Sequence, residues 1–338
     1  MFINIIADIA ITTIITTITI IIMVGKRKKK EKDWQNLFQN SYAKINLFLD
    51  VLSCRYDNYH NIITLFSEIN LCDQINTYLT EDGKITVLSD VSKISGNRNI
   101  VFKIAEFIKN KYGIKQGISI TIKKRIPLGA GLGGGSSNAA VCLRILNQLC
   151  ELELSEEKLR DIGTKFGSDI NFFLTGGIAI GRNKGDSIEQ IVPKIADKKS
   201  TLKIKLENIL LVNPGIEISS HEAYSLVKLN KVNKNKFERI LNAVKSNDLK
   251  EVASNLYNKL EDGLFKKYPL LKTIKNQLLE FSASGALLSG SGATLFGIFE
   301  NREDLVYAKE RFSNKGYWTF ITRCEYPLPS NANLYIAR

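Results

Sequence analysis

Ile126-Pro127-Leu128-Gly129-Ala130-Gly131-Leu132-Gly133-Gly134-Gly135-Ser136-Ser137-Asn138-Ala139-Ala140 decides how the rest of the chain is read. Five of the seven residues from Gly129 to Gly135 are glycine. Such a stretch packs no core, because each glycine lacks a side chain and loses more backbone freedom on ordering than any other residue. A turn whose successive N–H groups wrap an anion compensates that loss. The small, apolar run from Ala139 to Leu149 predicts a helix with Ser136 or Ser137 as its N-cap. The turn therefore leads to a helix N-terminus, where unpaired N–H groups and the macrodipole both favour phosphate.

Rival readings of the turn fail on particular residues. No lysine follows the glycines, so the G-x-x-x-x-G-K-[ST] phosphate loop is excluded. Gly129, Gly131 and Gly134 do satisfy G-x-G-x-x-G. A dinucleotide fold, however, wants a strand buried on both faces in front of the glycines, whereas Ile118 to Ile126 alternates and then turns basic at Lys123-Lys124-Arg125. A plain flexible hinge requires neither Ser136-Ser137-Asn138 nor a clean helix start.

With 338 residues the chain suits two domains with real cores. The expected division is an N-terminal extension over residues 1–39, one domain over 40–195 and a second over 196–338. The boundary falls where composition turns polar and charged, between Val192 and Ser200. A formal net charge of +13 suits acidic ligands such as nucleotides. Nucleic acid is disfavoured as a partner, since neither zinc-finger spacing nor an RNP-type aromatic pattern is present. The five cysteines are odd in number and form no C-x-x-C, which points to a reducing compartment without structural disulfides or zinc. Only His60 and His221 occur, so no multi-histidine metal site is available.

Met1 to Val24 is almost wholly apolar, and the cluster Lys26-Arg27-Lys28-Lys29-Lys30-Glu31-Lys32-Asp33 follows at once. That run is long enough to span a bilayer with the positive cluster inside. It reads equally as low-complexity sequence upstream of a start at Met23. Membrane association is therefore expected only if the segment is retained.

From Ser41 to Leu52 the chain reads as a strand with Ala43, Ile45, Leu47, Leu49 and Val51 on one buried face, and Lys44, Asn46, Phe48 and Asp50 on the other. Asn58 suits a left-handed position in the turn that follows. Ile62 to Leu71 and Lys84 to Leu88 are further strands, and Asn99 to Lys111 has helical spacing. Ser155 to Phe166 predicts a short capped helix. Asp169 then sits at an abrupt passage into an apolar segment, where capping a turn is its plainest role. Beyond Ser200 the pattern of strand, helices, Gly285 to Phe299 with its glycine turn, helix and strand predicts an α+β half with an open sheet. Ser289-Gly290-Ser291-Gly292 is a second glycine loop, either a tight hairpin or a backbone that approaches a ligand or the first loop.

Three islands, Ala43-Lys44-Ile45-Asn46-Leu47-Phe48-Leu49, the stretch from Pro127 to Ala140, and Leu288-Ser289-Gly290-Ser291-Gly292-Ala293, resemble in order and spacing the three motifs of the GHMP small-molecule kinases. Within that superfamily, Arg55-Tyr56-Asp57-Asn58-Tyr59-His60 and Gly167-Ser168-Asp169-Ile170-Asn171-Phe172-Phe173 are similar to the branch that acts in the non-mevalonate route to isoprenoids. That branch phosphorylates a cytidine diphosphate derivative of methylerythritol at its 2-hydroxyl. The resemblance implies an α+β, two-domain fold, with a ribosomal S5 domain 2-like N-terminal part and a ferredoxin-like C-terminal part.

It also implies roles. Asp169 is the catalytic aspartate and Lys44 its partner, holding it ionised. Pro127, Gly129, Ala130, Gly131, Leu132, Gly133, Gly134, Gly135, Ser136 and Ser137 bind the ATP phosphates, and Asn99 lies near the nucleotide base. His60 holds the cytosine by hydrogen bonds and Tyr59 stacks on it. Tyr224 covers the other face, with Ser220 as a nearby polar contact, and Asn46 lies near the methylerythritol. ATP and Mg²⁺ are the expected cofactors, with Ser137 the candidate protein ligand of the metal. The expected setting is a monomer or homodimer in a bacterial cytoplasm or plastid stroma. The alternatives are another kinase of the superfamily acting on a sugar, homoserine or mevalonate, and an inactive basic relative that binds membrane or nucleic acid. Three departures stand out: Asn58 stands where the family usually has glycine, Asn171 replaces a proline usual beside the catalytic aspartate, and His221 stands where proline is common.

Overall fold

A computed structural model describes residues 36–192, 204–229 and 233–326, all within one compact unit. The expected domain boundary falls at residues 193–200, and the apolar N-terminal run falls before residue 36; both lie outside the described residues. Among the described residues, no helix is long and apolar enough to cross a membrane.

The first sheet grows from one long hairpin. β1 (Leu37–Cys54) and β2 (His60–Thr80) pair antiparallel along most of their length, and Asn58, with φ 60°, turns the chain between them. β2 is long enough to serve two further neighbours: its first half pairs with β5 (Ile178–Asn183), its second with β4 (Gly117–Lys123). β3 (Ile85–Ser89) joins β4 in parallel and β6 (Ser187–Val192) joins β5. The seventh strand, β8 (Tyr257–Asn258), comes from the C-terminal half and lies parallel to β1. β4 buries Ile118, Ile120 and Ile122 and exposes Thr121 and Lys123, the half-exposed strand expected from its alternation.

β7 (Ile204–Asn213), β9 (Gly285–Leu288), β10 (Leu295–Ile298) and β11 (Trp318–Tyr326) form the second sheet in the order β11-β7-β10-β9, with every neighbouring pair antiparallel. Counted within this half the order is 4-1-3-2, the ferredoxin-like arrangement. Buried side chains of both sheets meet in one continuous cluster, which includes Ala43, Ile45, Ile178, Leu211, Phe296 and Tyr326.

Local sequence accounts for several helix starts. Asn99 caps α1 (Ile100–Tyr112) by accepting from the Val101 amide. Ser155 caps α3 (Glu156–Thr164) through the Lys158 amide, as its position predicts. α2 (Gly134–Leu149) lacks such a cap. It begins before Ser136 and Ser137, with Gly133 at the N-cap and φ of 70°, so a left-handed glycine replaces the expected serine cap. In the C-terminal half, α6 (Lys234–Ser246) and α7 (Leu249–Ser254) send Phe237, Ile240, Val244 and Val252 into the cluster that the two sheets share.

The faces of β1 also differ from simple alternation. A bulge between Asn46 and Phe48 inserts Leu47 as an extra residue, and one extra residue moves every later side chain to the opposite face. Phe48 accordingly packs with Ala43, Ile45 and Leu47, while Leu49 and Val51 belong to a different cluster. Lys44, Asn46 and Asp50 are all buried. Residues on both faces of this strand are buried; α2 packs against it, and β8 pairs along its edge.

Candidate active site

Lys44 is the meeting point of the three islands. Its Nζ donates to Asn46 Oδ1 at 2.7 Å and to the Gly131 carbonyl at 3.0 Å, and lies 3.6 Å from Asp169 Oδ2. The first two are hydrogen bonds and the third is an ion-pair separation. Together they give the buried ammonium two hydrogen-bond acceptors and one opposite charge. Burial lowers the Lys44 pKa, and the charge and hydrogen bonding of Asp169 oppose that shift. Asn46 is oriented in turn: its Nδ2 donates to Thr64 Oγ1 at 2.7 Å, and Thr64 donates to the Phe48 carbonyl at the bulge. The bulge that shifts the faces of β1 thus also supplies the carbonyl that orients Thr64, the acceptor of Asn46.

The glycine turn is held against Lys44 from both sides. The Lys44 amide donates to the Leu132 carbonyl at 3.0 Å. A Cβ on Gly133 would meet the Phe173 ring at 2.7 Å and Lys44 Cε at 3.2 Å. Gly131, with φ of 72°, has the Ser289 carbonyl where a Cβ would stand. Ser289 Oγ donates to the Gly131 carbonyl at 3.1 Å, and the Thr294 amide reaches the Ala130 carbonyl at 3.3 Å. The second glycine loop is therefore docked on the first. In α2 the first backbone bond runs from the Ser137 amide to the Gly133 carbonyl. The amides at the start of the helix consequently have no acceptor within it, which is the arrangement that receives phosphate oxygens.

Asp73 is a residue that sequence reasoning missed. Fully buried on β2, it accepts from the Arg125 and Ile126 amides at 2.7 and 2.8 Å and pairs with Lys124 Nζ at 2.5 Å. It anchors the chain where β4 ends and the glycine turn begins. Burial lowers the Lys124 pKa against the pull of Asp73. A single aspartate in an ordinary strand pattern carries no sign of this, since its partners are 51 to 53 residues away.

Asp169 occupies the N-cap position of α4 (Ile170–Thr175), but its side chain makes no cap bond. Turn capping therefore does not explain it. Asn171, in place of the usual proline, donates to Thr164 Oγ1 at 2.8 Å and to the Asp186 carbonyl at 3.0 Å. Hydrogen bonds restrain this turn where the ring of a proline would.

The Asp57–His60 turn is pinned by Arg55, whose Nε lies 3.2 Å from Asp57, while Asp57 accepts from the Tyr59 amide at 3.2 Å. Tyr59 is 59% exposed. His60 stacks on Tyr224 of α5 (Ser220–Ser225), with ring centroids 5.3 Å apart. The structure thus brings Tyr224 against His60. Burial lowers the His60 pKa. Burial raises that of Tyr224 well above the ordinary phenol value, with the Asp169 charge adding to the effect. Ser220 and Ser291 place their hydroxyls 3.4 Å apart, so α5 touches the second glycine loop.

A second missed residue is Lys184, in the turn between β5 and β6. Its Nζ stands 5.1 Å from the Tyr59 ring centre. A Cβ on the adjacent Gly185 would lie 3.9 Å from Asp169 Oδ1. This hairpin turn therefore reaches both Asp169 and Tyr59. Its signal in the sequence is weak: Asn183-Lys184-Gly185-Asp186 reads simply as a turn.

Two expected residues have structural occupations. Asn99 uses Oδ1 to cap α1 and Nδ2 to donate to the Ile94 carbonyl at 2.7 Å. Ser137 is 1% exposed, and its hydroxyl shares a 2.7 Å hydrogen bond with that of Ser41. Ser41 gives its single proton to Asn138 Oδ1 at 2.7 Å and so ties β1 to α2. Among the described residues there is no group of three or more His, Cys, Asp or Glu side chains able to hold a metal.

Comparisons with known proteins identify the family. The profile of the GHMP kinases N terminal domain matches residues 99–177, and that of the GHMP kinases C terminal matches residues 240–317. A 4-diphosphocytidyl-2-C-methyl-D-erythritol kinase of Caldicellulosiruptor bescii is 38% identical over 273 residues, covering 80% of this chain and 92% of that protein. A protein of the same name from Clostridioides difficile is 37% identical over 279 residues, covering 81% and 90%. A crystal structure of 4-(cytidine 5'-diphospho)-2C-methyl-D-erythritol kinase superposes with a TM-score of 0.68 at 27% identity, covering 85% of this chain and 99% of that one. A homoserine kinase from Cytophaga hutchinsonii shares the fold at 18% identity, with a TM-score of 0.66 and coverage of 88% and 97%. Fold and comparisons together make the chain an ATP-dependent small-molecule kinase of the GHMP class. Within that class it belongs to the 4-diphosphocytidyl-2-C-methyl-D-erythritol kinase family, which places it in isoprenoid biosynthesis.

Proposed function

We propose that the chain transfers the γ-phosphoryl group of ATP to the 2-hydroxyl of 4-diphosphocytidyl-2-C-methyl-D-erythritol. The observation that carries this reading is the convergence of Lys44, Asp169 and the Gly131 carbonyl at one point, with Lys44 Nζ 3.0 Å from the carbonyl and 3.6 Å from the carboxylate. Phosphoryl transfer asks for a cradle for the phosphates, an aligned hydroxyl and compensation of spreading negative charge. The α2 N-terminus serves the first. Asp169 accepts the proton of the substrate hydroxyl, whose oxygen forms a bond to the γ-phosphorus as the bond to the β–γ bridging oxygen breaks and ADP departs. The Lys44 ammonium offsets charge on the transferred group.

At the other end Tyr59 offers an exposed aromatic face to the cytosine and His60 a hydrogen-bonding edge. Lys184 stands where it can meet the negative charge of the diphosphate. Mg²⁺ would supply neutralisation of the phosphate charge. Ser137 fits that role poorly because its oxygen is buried and bonded to Ser41. Ser136, half-buried at the start of the same helix, would fit better as the hydroxyl that holds the ion, and Asp169, beside Lys44, would be the carboxylate.

The test is ATP consumption by the purified chain with the cytidylyl acceptor, run beside homoserine, mevalonate and a simple sugar. Turnover confined to the cytidylyl acceptor is the expected result. Turnover with one of the others alone overturns the assignment of substrate.

A further inference from the structure

Asn258 is 3% exposed and takes no part in the chemistry proposed for Lys44 and Asp169. All of its side-chain capacity is directed at the second glycine loop and the helix beside it. Its Nδ2 donates to the Leu288 carbonyl and to the Gly290 carbonyl, both at 2.8 Å. Its Oδ1 accepts from the Leu260 amide at 3.0 Å. Glu261, at the start of α8 (Glu261–Lys267), completes the bracket by accepting from the Leu288 amide at 3.0 Å while pairing with Lys275 at 2.6 Å. The bracket has a firm base. Asn258 pairs with Leu49 on β1, and the Lys259 amide donates to the Leu49 carbonyl at 2.9 Å.

What the bracket holds is the loop that bounds Lys44. A Cβ on Gly290 would stand 2.9 Å from Lys44 Nζ, 3.0 Å from the Gly131 carbonyl and 3.2 Å from Asn46 Oδ1. Ser289, one residue earlier, donates to the same Gly131 carbonyl that accepts from Lys44. The strand that carries Lys44 and the loop that confines it are thus tied together through one amide group. Without that amide, the Leu288 and Gly290 carbonyls each lose a donor, and the loop must shift to find another.

We propose that Asn258 is a positioning residue for the phosphoryl transfer, acting through the Gly290 turn on the Lys44 ammonium. The inference rests on the role of Lys44 given under Proposed function. A residue that served only to stabilise the fold would lower the melting temperature and leave the rate per folded molecule intact.

Asn258→Asp keeps the size and the acceptor for Leu260 but removes both donations. The expected result is a fall in kcat of about 10- to 100-fold, with both KM values changed by less than about threefold, because misplacing a catalytic group by an ångström is that costly. Gly290→Ala should give a loss of the same kind, and the double variant should lose no more than the worse single one, since both act on one turn. Should Asn258→Asp fail to fold, Asn258→Ser, which keeps one donor, replaces it in the cycle. Amide hydrogen exchange needs no substrate: exchange at residues 289–292 and 131–133 should quicken, with β7 unchanged. A folded Asn258 variant with kcat within about threefold of the parent, multiplicative losses in the double variant, or unchanged exchange in the two loops each overturns the inference. Failure of the parent chain to phosphorylate the cytidylyl acceptor overturns the assignment of function instead, and the exchange measurement still decides the role of Asn258.

Discussion

The two ends of the candidate active site are built differently. At the phosphate end, Lys44, Asn46, Thr64 and Asp73 are buried and their polar groups are satisfied by one another and by nearby backbone. The glycine turn there is clamped by backbone bonds from β1 and by the second glycine loop. At the base end, Tyr59 is 59% exposed with its ring under the Lys184 ammonium, while His60 leans on Tyr224. The contrast follows the chemistry. Charge developing in a transition state is stabilised best by groups that need no reorganisation. Recognition of a base needs chiefly a flat apolar face and a polar edge, which the ligand itself can order.

On that contrast, the largest effect belongs to Asp169→Asn. It should lower kcat by about 10²- to 10⁴-fold while calorimetry shows ATP still bound, the range of general-base contributions. Retention of activity within about tenfold would break the assignment.

Asp73→Ala tests the clamp itself. It leaves the buried Lys124 ammonium without its partner and should cost about 3–5 kcal/mol in urea unfolding. A loss below about 1 kcal/mol would mean that the turn does not depend on the pair.

Next in size is the response to pH. Burial sets the Lys44 pKa below 10.5, so activity that needs the ammonium should fall as pH rises through that lowered value. Lys44→Arg should move the alkaline limb upward. Stability should change in the opposite sense. Between the lowered pKa and 10.5 the unfolded chain holds the proton and the folded one does not, so this group makes the protein more stable as pH rises across that window.

At the base end, His60→Ala should raise the KM for the cytidylyl substrate about tenfold and leave the KM for ATP nearly unchanged. Because burial lowers the His60 pKa below 6.5, the wild-type KM for that substrate should begin to rise only below that pH. The reverse pattern would reassign the pocket to ATP. Lys184→Met is the smallest expected change, about 1 kcal/mol in substrate binding, as befits a half-buried cation over a ring.

How much of the fold and the site is legible in the sequence depends on the range of the interaction. The helix after the glycine turn, the cap at Ser155 and the left-handed Asn58 all follow from neighbours within a few residues, and the structure has them. The start of α2 departs from the expected serine cap because Gly133 lies where Lys44 and Phe173 leave no room for a side chain. The faces of β1 depart from alternation because a bulge leaves no mark in the pattern of a single strand. Asp73, Lys184 and Asn258 carry no local signal at all, since each works on groups brought near by folding.

Contiguous residues set the chemistry on offer: a glycine-rich turn before a helix, a lysine on a strand, an aspartate at an abrupt turn, and a tyrosine-histidine pair after a left-handed asparagine. Backbone preference and side-chain type act together over such short spans, so each piece is written where it stands. That the pieces meet was settled by folding alone. The docking of one glycine loop on another, the partners gathered around Lys44 and the bracket from Asn258 join residues far apart in the chain, and no pattern within a single segment records which partners it will find.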